Sequence, residues 1–191
     1  MNKQIMKYVI ILTGELASGK TSYGKKISNT LKIPFFSKDD IKEILYDSFN
    51  NNDLTYEDKR KIGANSYNVF YYIIEQQMKI GVPIIAESNF VKESIPIIKI
   101  LLEKYDYRCI TIRFEGDLHT LHRRFLKREY SNERHNGLVA NGAFDDFENF
   151  EKTAVKSKEF KIDDNEILVD TTDFSNVNFD RIIDDIRKKM K

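Results

Sequence analysis

The sequence predicts an α/β fold in which five short strands form a mainly parallel sheet with helices between them. Three observations lead there. Short apolar runs recur through the chain at Tyr8–Thr13, Pro34–Ser37, Val82–Ala86, Arg108–Phe114 and Ile167–Val169. The stretches between them carry apolar residues three or four apart, the helical period. Directly after the first run, Gly14-Glu15-Leu16-Ala17-Ser18-Gly19-Lys20-Thr21 satisfies G-x-x-x-x-G-K-[ST] at a strand-to-helix junction, the one context in which that pattern has a physical use.

Tyr8–Thr13 is apolar without alternation, as a parallel strand buried on both faces requires. Tyr23, Ile27 and Leu31 then mark one face of a helix that must stop before Pro34. After the second strand, Ile41, Ile44 and Leu45 are expected on the inner face of a helix opening at Lys38-Asp39-Asp40. Asn50-Asn51-Asn52-Asp53 breaks the pattern, Thr55 or a neighbour caps a long helix through Tyr67, Phe70, Ile74 and Met78, and Gly81 ends it. The third strand runs into Glu87-Ser88-Asn89-Phe90. Ser94 is expected to cap a helix burying Ile95, Ile98, Leu102 and Tyr105, with Pro96 tolerated in its first turn. Past the fourth strand, Asp117 caps a helix carrying Leu118, Leu121 and Phe125. Periodicity fails at about 129–144, a polar and glycine-punctuated stretch expected to be a small mobile lid inserted in a single domain spanning 1–191. A short helix through Phe147, Phe150 and Ala154, the fifth strand, and a last helix burying Phe179, Ile182, Ile183 and Ile186 complete the chain.

With 191 residues, 41% of them hydrophobic, there is enough apolar surface for one good core. Thirty-one basic residues against 30 acidic leave a net charge of +1, so nothing in the balance favours a nucleic-acid partner. The single Cys109 lies in an apolar run and is a core residue of a protein expected in the reducing cytoplasm. Met1–Lys7 lacks the small-residue cleavage site of a signal peptide, and no apolar run approaches a bilayer span, so no membrane partner is expected. The oligomeric state leaves no trace in the sequence; a monomer is the default.

The glycine-rich stretch is a candidate phosphate cradle. Gly14 and Gly19 permit the turn that aims the N–H groups of Ala17, Ser18, Gly19, Lys20, Thr21 and Ser22 at phosphate oxygens, Lys20 reaches the β and γ phosphates, and Thr21 ligates Mg²⁺. The following helix adds its positive end. Ligands of such sheets gather at the carboxyl ends of the strands, so the other candidates are Asp39 and Asp40 after strand two, Glu87 to Asn89 after strand three, and Asp170-Thr171-Thr172 after strand five. Carboxylates beside a polyphosphate repel it unless a metal or a substrate hydroxyl intervenes. Arg124 and Arg128, one turn apart, are placed to neutralise a γ phosphate together. Each has a plainer counterpart: a first-turn aspartate is often a helix cap, a strand-end glutamate often binds backbone N–H groups, and arginines at this spacing often form a solvated face. His119 and His122 have no acidic or thiol companions at zinc-ligand spacing.

These stretches together resemble the small P-loop kinases of the adenylate-kinase-like superfamily, nearest the group of polynucleotide kinase and chloramphenicol phosphotransferase. Gly14–Thr21, Ser37-Lys38-Asp39-Asp40, Glu87-Ser88-Asn89, and Arg124-Phe125-Leu126-Lys127-Arg128 with Arg134-His135 carry the likeness. It implies a three-layer P-loop NTPase fold with sheet order 2-3-1-4-5, Asp39 as general base toward an acceptor hydroxyl, Arg124 and Arg128 as lid arginines, and Arg134 reaching a phosphate on closure. Glu15 and Leu16 stand where the family often has Pro or Gly, and both side chains are expected to point away from the ligand. Leu138 replaces the second histidine frequent in the family's lid.

The expectation is therefore an ATP- and Mg²⁺-dependent phosphotransferase acting on a small-molecule or nucleoside-type hydroxyl. Asp39, Asp40, Glu87, Asn89 and Arg134 would hold the acceptor, Thr21 and Glu87 the metal, and Asp170 and Thr172 the edge of the adenine pocket. Two alternatives stay open: a polynucleotide 5′-hydroxyl kinase, and an ATP-binding switch without transferase activity. A GTPase is not expected, because neither Asn-Lys-x-Asp nor a strand-end Asp-x-x-Gly occurs.

Overall fold

β1 (Tyr8–Gly14) is buried along its whole length, and that follows from its place at the centre of the sheet. In the computed structural model, which describes residues 7–49, 54–163 and 166–191, it is followed by α1 (Lys20–Leu31), β2 (Phe35–Ser37), α2 (Lys38–Asp47), α3 (Tyr56–Lys79), β3 (Ile84–Glu87), α4 (Ser94–Tyr105), β4 (Arg108–Glu115), α5 (Leu118–Glu129), α6 (Phe147–Ala154), β5 (Ile167–Asp170) and α7 (Phe179–Lys189). The strands run parallel in the order β2-β3-β1-β4-β5, as the resemblance implies. The expected break at Asn50–Asp53 and the reading of Met1–Met6 fall outside the described residues.

Alternation along β1 divides the core. Tyr8, Ile10 and Leu12 meet Tyr23 and Ile27 of α1 and Ile182, Ile183 and Ile186 of α7. Val9 and Ile11 meet Phe70, Ile74 and Met78 of α3 and Ile98 and Leu101 of α4. The result is three layers, helices on both faces of a parallel sheet. A third cluster joins Leu121 and Phe125 of α5 to Phe150 and Ala154 of α6, with Leu16, Ala17 and Phe144 packed against it. None of the described helices is long and apolar enough to cross a membrane.

Local signals decide the boundaries. Thr55 and Asp58 form a capping box at the start of α3, and Gly81 turns the chain away after it at φ 77°. Asp117 caps α5 by accepting from the Thr120 N–H. Two expectations fail. Ile44 is 70% exposed, because α2 packs on α3 and on the short turn Asn136–Leu138 instead of on the sheet, and it is Tyr46 that is buried, against Gly137. Ser94 is already the first helical residue and caps nothing; Ser94, Ile98 and Leu101 line the buried side while Ile95, Leu102 and Tyr105 are only partly covered.

Candidate functional site

The phosphate loop is a backbone construction. Gly14 has φ 132°, and a Cβ added there would lie 1.9 Å from the Phe114 carbonyl oxygen, so only glycine lets β1 run this close to β4. Ala17 (φ 58°) and Gly19 (φ 83°) take left-handed conformations, which turn successive N–H groups toward one concavity at the start of α1. Lys20 is buried, and its Nζ donates to the Glu15 carbonyl at 2.7 Å; Ser18 Oγ donates to the same carbonyl at 2.8 Å. Burial lowers the Lys20 pKa, while Glu87 and Asp39 pull it back up. Glu15 does point away from the concavity. Its carboxylate lies beneath the loop, accepts from the Gly116 N–H at 2.9 Å and pairs with Lys158 at 3.1 Å. Leu16 does not: it lines the cavity over the loop.

Because β1, β3 and β2 are neighbours, their tips bring three sequence-distant groups together. Glu87, the last residue of β3, is buried, and its Oε2 accepts from Ser37 Oγ at 2.6 Å and from Thr21 Oγ1 at 3.3 Å. Ser37 also caps α2, accepting from the Asp39 N–H at 3.2 Å. Burial raises the Glu87 pKa against the opposing pull of Lys20, Ser37 and Thr21. Burial also pushes Asp39 up, but Lys38, 2.7 Å away, outweighs it by charge and hydrogen bond, with Lys42 and Lys20 behind, so the Asp39 pKa falls below the ordinary aspartate value. Lys38 in turn lies 5.1 Å over the Tyr67 ring.

Lys20, Asp39, Glu87, Asn89, Arg128 and Arg134 line one cavity with the loop residues Ala17, Gly19, Thr21 and Ser22. Its far wall comes from residues 130–144, through Leu138, Ala140 and Phe144. Arg134 is held there at 3.4 Å from the buried Glu129, and donates to the Leu138 carbonyl at 2.8 Å; the Ala140 N–H donates to the same Glu129 carboxylate. His135 ties this segment to α2 through Asp47 at 3.2 Å.

The expected arginine pair is split. Arg128 faces the cavity; Arg124 donates to the Thr171 and Thr172 carbonyls at 2.5 and 2.8 Å, and its guanidinium lies 4.0 Å over the Phe174 ring. That ring borders a second hollow with Gly19, Ser22 and Tyr23, on the outer side of the phosphate loop. Asp170 and Thr172 spend their side chains on backbone: Asp170 accepts from the Thr172 N–H within its own loop, and Thr172 Oγ1 from the Asp117 N–H at the start of α5, each at 2.8 Å. Asp40 lies 4.0 Å from Lys25 of α1 and is not part of the cavity wall. Sequence reasoning missed Lys42, which does line it. The signal was present, since Lys42 follows Asp39 by three residues and Lys38 by four, one helical face.

Thr21, Glu87 and Asp39 offer hard oxygen donors beside the cradle, the set a Mg²⁺ ion takes when it is bound through one or two carboxylates plus phosphate oxygens. Among the described residues no group of three or more His, Cys, Asp or Glu side chains forms a cage that would hold a metal by itself. The donor set thus fits Mg²⁺ arriving with a nucleotide.

No protein-family model matches the chain, and no curated protein matches it. Solved structures do. A "putative kinase" from Chloroflexus aurantiacus is 24% identical over 96% of this chain and 98% of that one, with a TM-score of 0.84. A gluconokinase from Sinorhizobium meliloti (16% identical, 97% and 92% covered, TM-score 0.54) and a shikimate kinase from Bacteroides thetaiotaomicron (13%, 96% and 98%, 0.55) share the architecture. At these identities the likeness establishes the fold alone, a three-layer α/β arrangement around a five-stranded parallel sheet.

Proposed function

We infer that this protein is an ATP-dependent phosphotransferase that moves the γ-phosphate of MgATP to a hydroxyl of a small-molecule acceptor. One observation carries the reading: the Lys20 ammonium of the phosphate loop and the Asp39 carboxylate of the neighbouring strand tip line the same cavity. The shared fold with proteins named as kinases supports it.

In this reading the loop N–H groups and Lys20 cradle the β and γ phosphates, and Arg128 offsets charge on the equatorial oxygens. Thr21 and Glu87 would hold Mg²⁺, which would supply neutralisation of the phosphate charge. Asp39 accepts a hydrogen bond from the acceptor hydroxyl and aims its oxygen at the γ phosphorus; the new O–P bond forms as the bond to the β-phosphate oxygen breaks, and the hydroxyl proton leaves through Asp39. A carboxylate held strongly ionised is a weak base, which suits a loose transition state that asks for orientation more than proton abstraction. Arg124 serves the base end of the nucleotide, stacked on Phe174 beside Gly19, instead of the γ phosphate. Asn89 and Arg134 face the acceptor, and residues 130–144 act as the lid that keeps water out.

The test is γ-labelled MgATP incubated with a panel of hydroxyl-bearing metabolites, nucleosides and oligonucleotides. Acceptor-dependent ADP release with label on a small molecule is expected. Slow hydrolysis indifferent to every acceptor would mean a nucleotide-driven switch, and label confined to 5′-hydroxyl oligonucleotides would mean a polynucleotide kinase.

A further inference from the structure

The cations of the cavity are not equally occupied. Lys20 rests on the Glu15 carbonyl, and Arg134 on Glu129 and the Leu138 carbonyl. Arg128 and Lys42 form neither an ion pair nor a side-chain hydrogen bond with any described residue. Arg128 lines the cavity together with the phosphate-loop residues and is given above to the triphosphate. Lys42 has no such assignment. It stands on the face of α2 that carries Lys38 and Asp39, Cβ atoms three residues apart being about 5–6 Å from one another. Its stem reaches across α3 where Gly63 leaves room: a Cβ on Gly63 would lie 3.8 Å from Lys42 Cε.

Around its ammonium the charges are mostly of its own sign. Lys38 of α2, Arg134 of the 130–144 segment and Lys59 of α3 all repel it, and Asp39, which attracts it, is already paired with Lys38. Burial and that repulsion push the Lys42 pKa down. Partly covered like charges drawn from three separate segments cost free energy in the empty protein and are offset when an anion enters among them. With a net charge of +1 the whole chain gives no general reason for such a concentration.

We propose that Lys42, backed by Arg134, recognises an anionic group carried by the acceptor, so that the molecule phosphorylated is a small hydroxy acid or an alcohol already bearing a phosphate, and not a neutral polyol. The inference rests on the phosphotransferase reading, with Asp39 taking the hydroxyl and Lys42 the anion of one molecule. Carboxylate and phosphate share the chemistry Lys42 offers, a point charge with three donors.

The experiment has a binding arm and a transfer arm. With MgADP saturating the phosphate loop, the thermal midpoint is followed at fixed ionic strength while gluconate, glucose 6-phosphate or sorbitol is added. The two anions are expected to raise it and sorbitol is not, by linkage to binding of the folded state. Whichever anion gives the larger rise identifies its chemistry. In Lys42→Met the rise disappears, and in Lys42→Arg it is kept, which separates charge recognition from a folding defect. In the transfer arm, the anionic acceptor is used in preference to the polyol, and Lys42→Met raises its KM at least ~10-fold, the loss of one charge-assisted contact, with the MgATP affinity unaltered. Equal responses to sorbitol and the anions, or a Lys42→Met protein that still distinguishes them, would overturn the proposal. If the anions bind as described but no hydroxyl receives phosphate, it is the phosphotransferase reading that fails.

Discussion

The two walls of the cavity are built by different means. On the side proposed for the nucleotide the geometry is backbone: Gly14 fits because it has no side chain, Ala17 and Gly19 turn the chain through left-handed conformations, and Lys20 is secured by a carbonyl five residues before it. On the side proposed for the acceptor the wall is held by side-chain pairs: Lys38 with Asp39 within α2, Arg134 with Glu129 at the end of α5, and His135 with Asp47, which joins residues 130–144 to α2 across 88 positions of sequence. A backbone cradle is set by a few contiguous residues and serves any polyphosphate. A wall of paired charges is set by residues from several segments, and it is there that selectivity for an acceptor can vary while the fold stays the same.

This contrast is open to direct attack. The largest effect is expected at the backbone wall: Lys20→Ala should lower phosphoryl transfer at least ~1000-fold with circular dichroism little changed and no loss of thermal stability, and near-normal turnover would remove the phosphate-loop assignment. Next comes the tip of the acceptor wall, where Asp39→Asn should cost at least ~100-fold in kcat while MgATP still binds. An unchanged kcat would return Asp39 to the part of a first-turn dipole partner. The arginines come third. In single-turnover assays Arg128→Ala should slow the chemical step, whereas Arg124→Ala should raise the KM for ATP about 10-fold and spare kcat, the scale of a lost cation–π contact with its hydrogen bonds. The opposite pattern would undo the division between them. The smallest effect is in pH. Lys38 holds Asp39 ionised below the ordinary aspartate range, so activity should persist into mild acid and fall only as Asp39 takes up a proton; Lys38→Met should move that acid limb upward. Since the folded-state pKa is the lower one, the stabilisation the pair contributes is present above the unfolded value and lost as the pH falls through the folded one. An acid limb unmoved in Lys38→Met would deny the pair its electrostatic part.

How much of this was legible in the sequence follows the same division. The buried β1, the phosphate loop, the cap at Thr55 and the strand-tip acids Asp39 and Glu87 announce themselves through local pattern, whereas Asp40 and Asp170, equally visible, lie outside the cavity. Ile44 misled because periodicity tells which residues share a face and not what the face meets; α2 turns its covered side to α3 and to Gly137. Arg124 and Arg128 share a helical turn, yet the β5–α7 loop supplies two carbonyls and an aromatic ring to the first alone. Nothing in the spacing of the two arginines shows that those acceptors are near. Helical spacing places Lys42 on the face of Asp39, but the company of Lys59 and Arg134 is brought to it by chain folding and lies outside any local pattern.

The lysine that rests on its own loop has one more consequence. A solvated ammonium must shed water before it can grip a phosphate, but Lys20 is already dry and held by the Glu15 oxygen 2.7 Å away, so a nucleotide has only to replace one oxygen with another. The dehydration is a debt incurred when the chain folds, carried by the empty protein as lost stability and discharged on occupancy. Nucleotide should accordingly act as a ligand that tightens the whole molecule, raising its resistance to heat and proteolysis before any acceptor arrives.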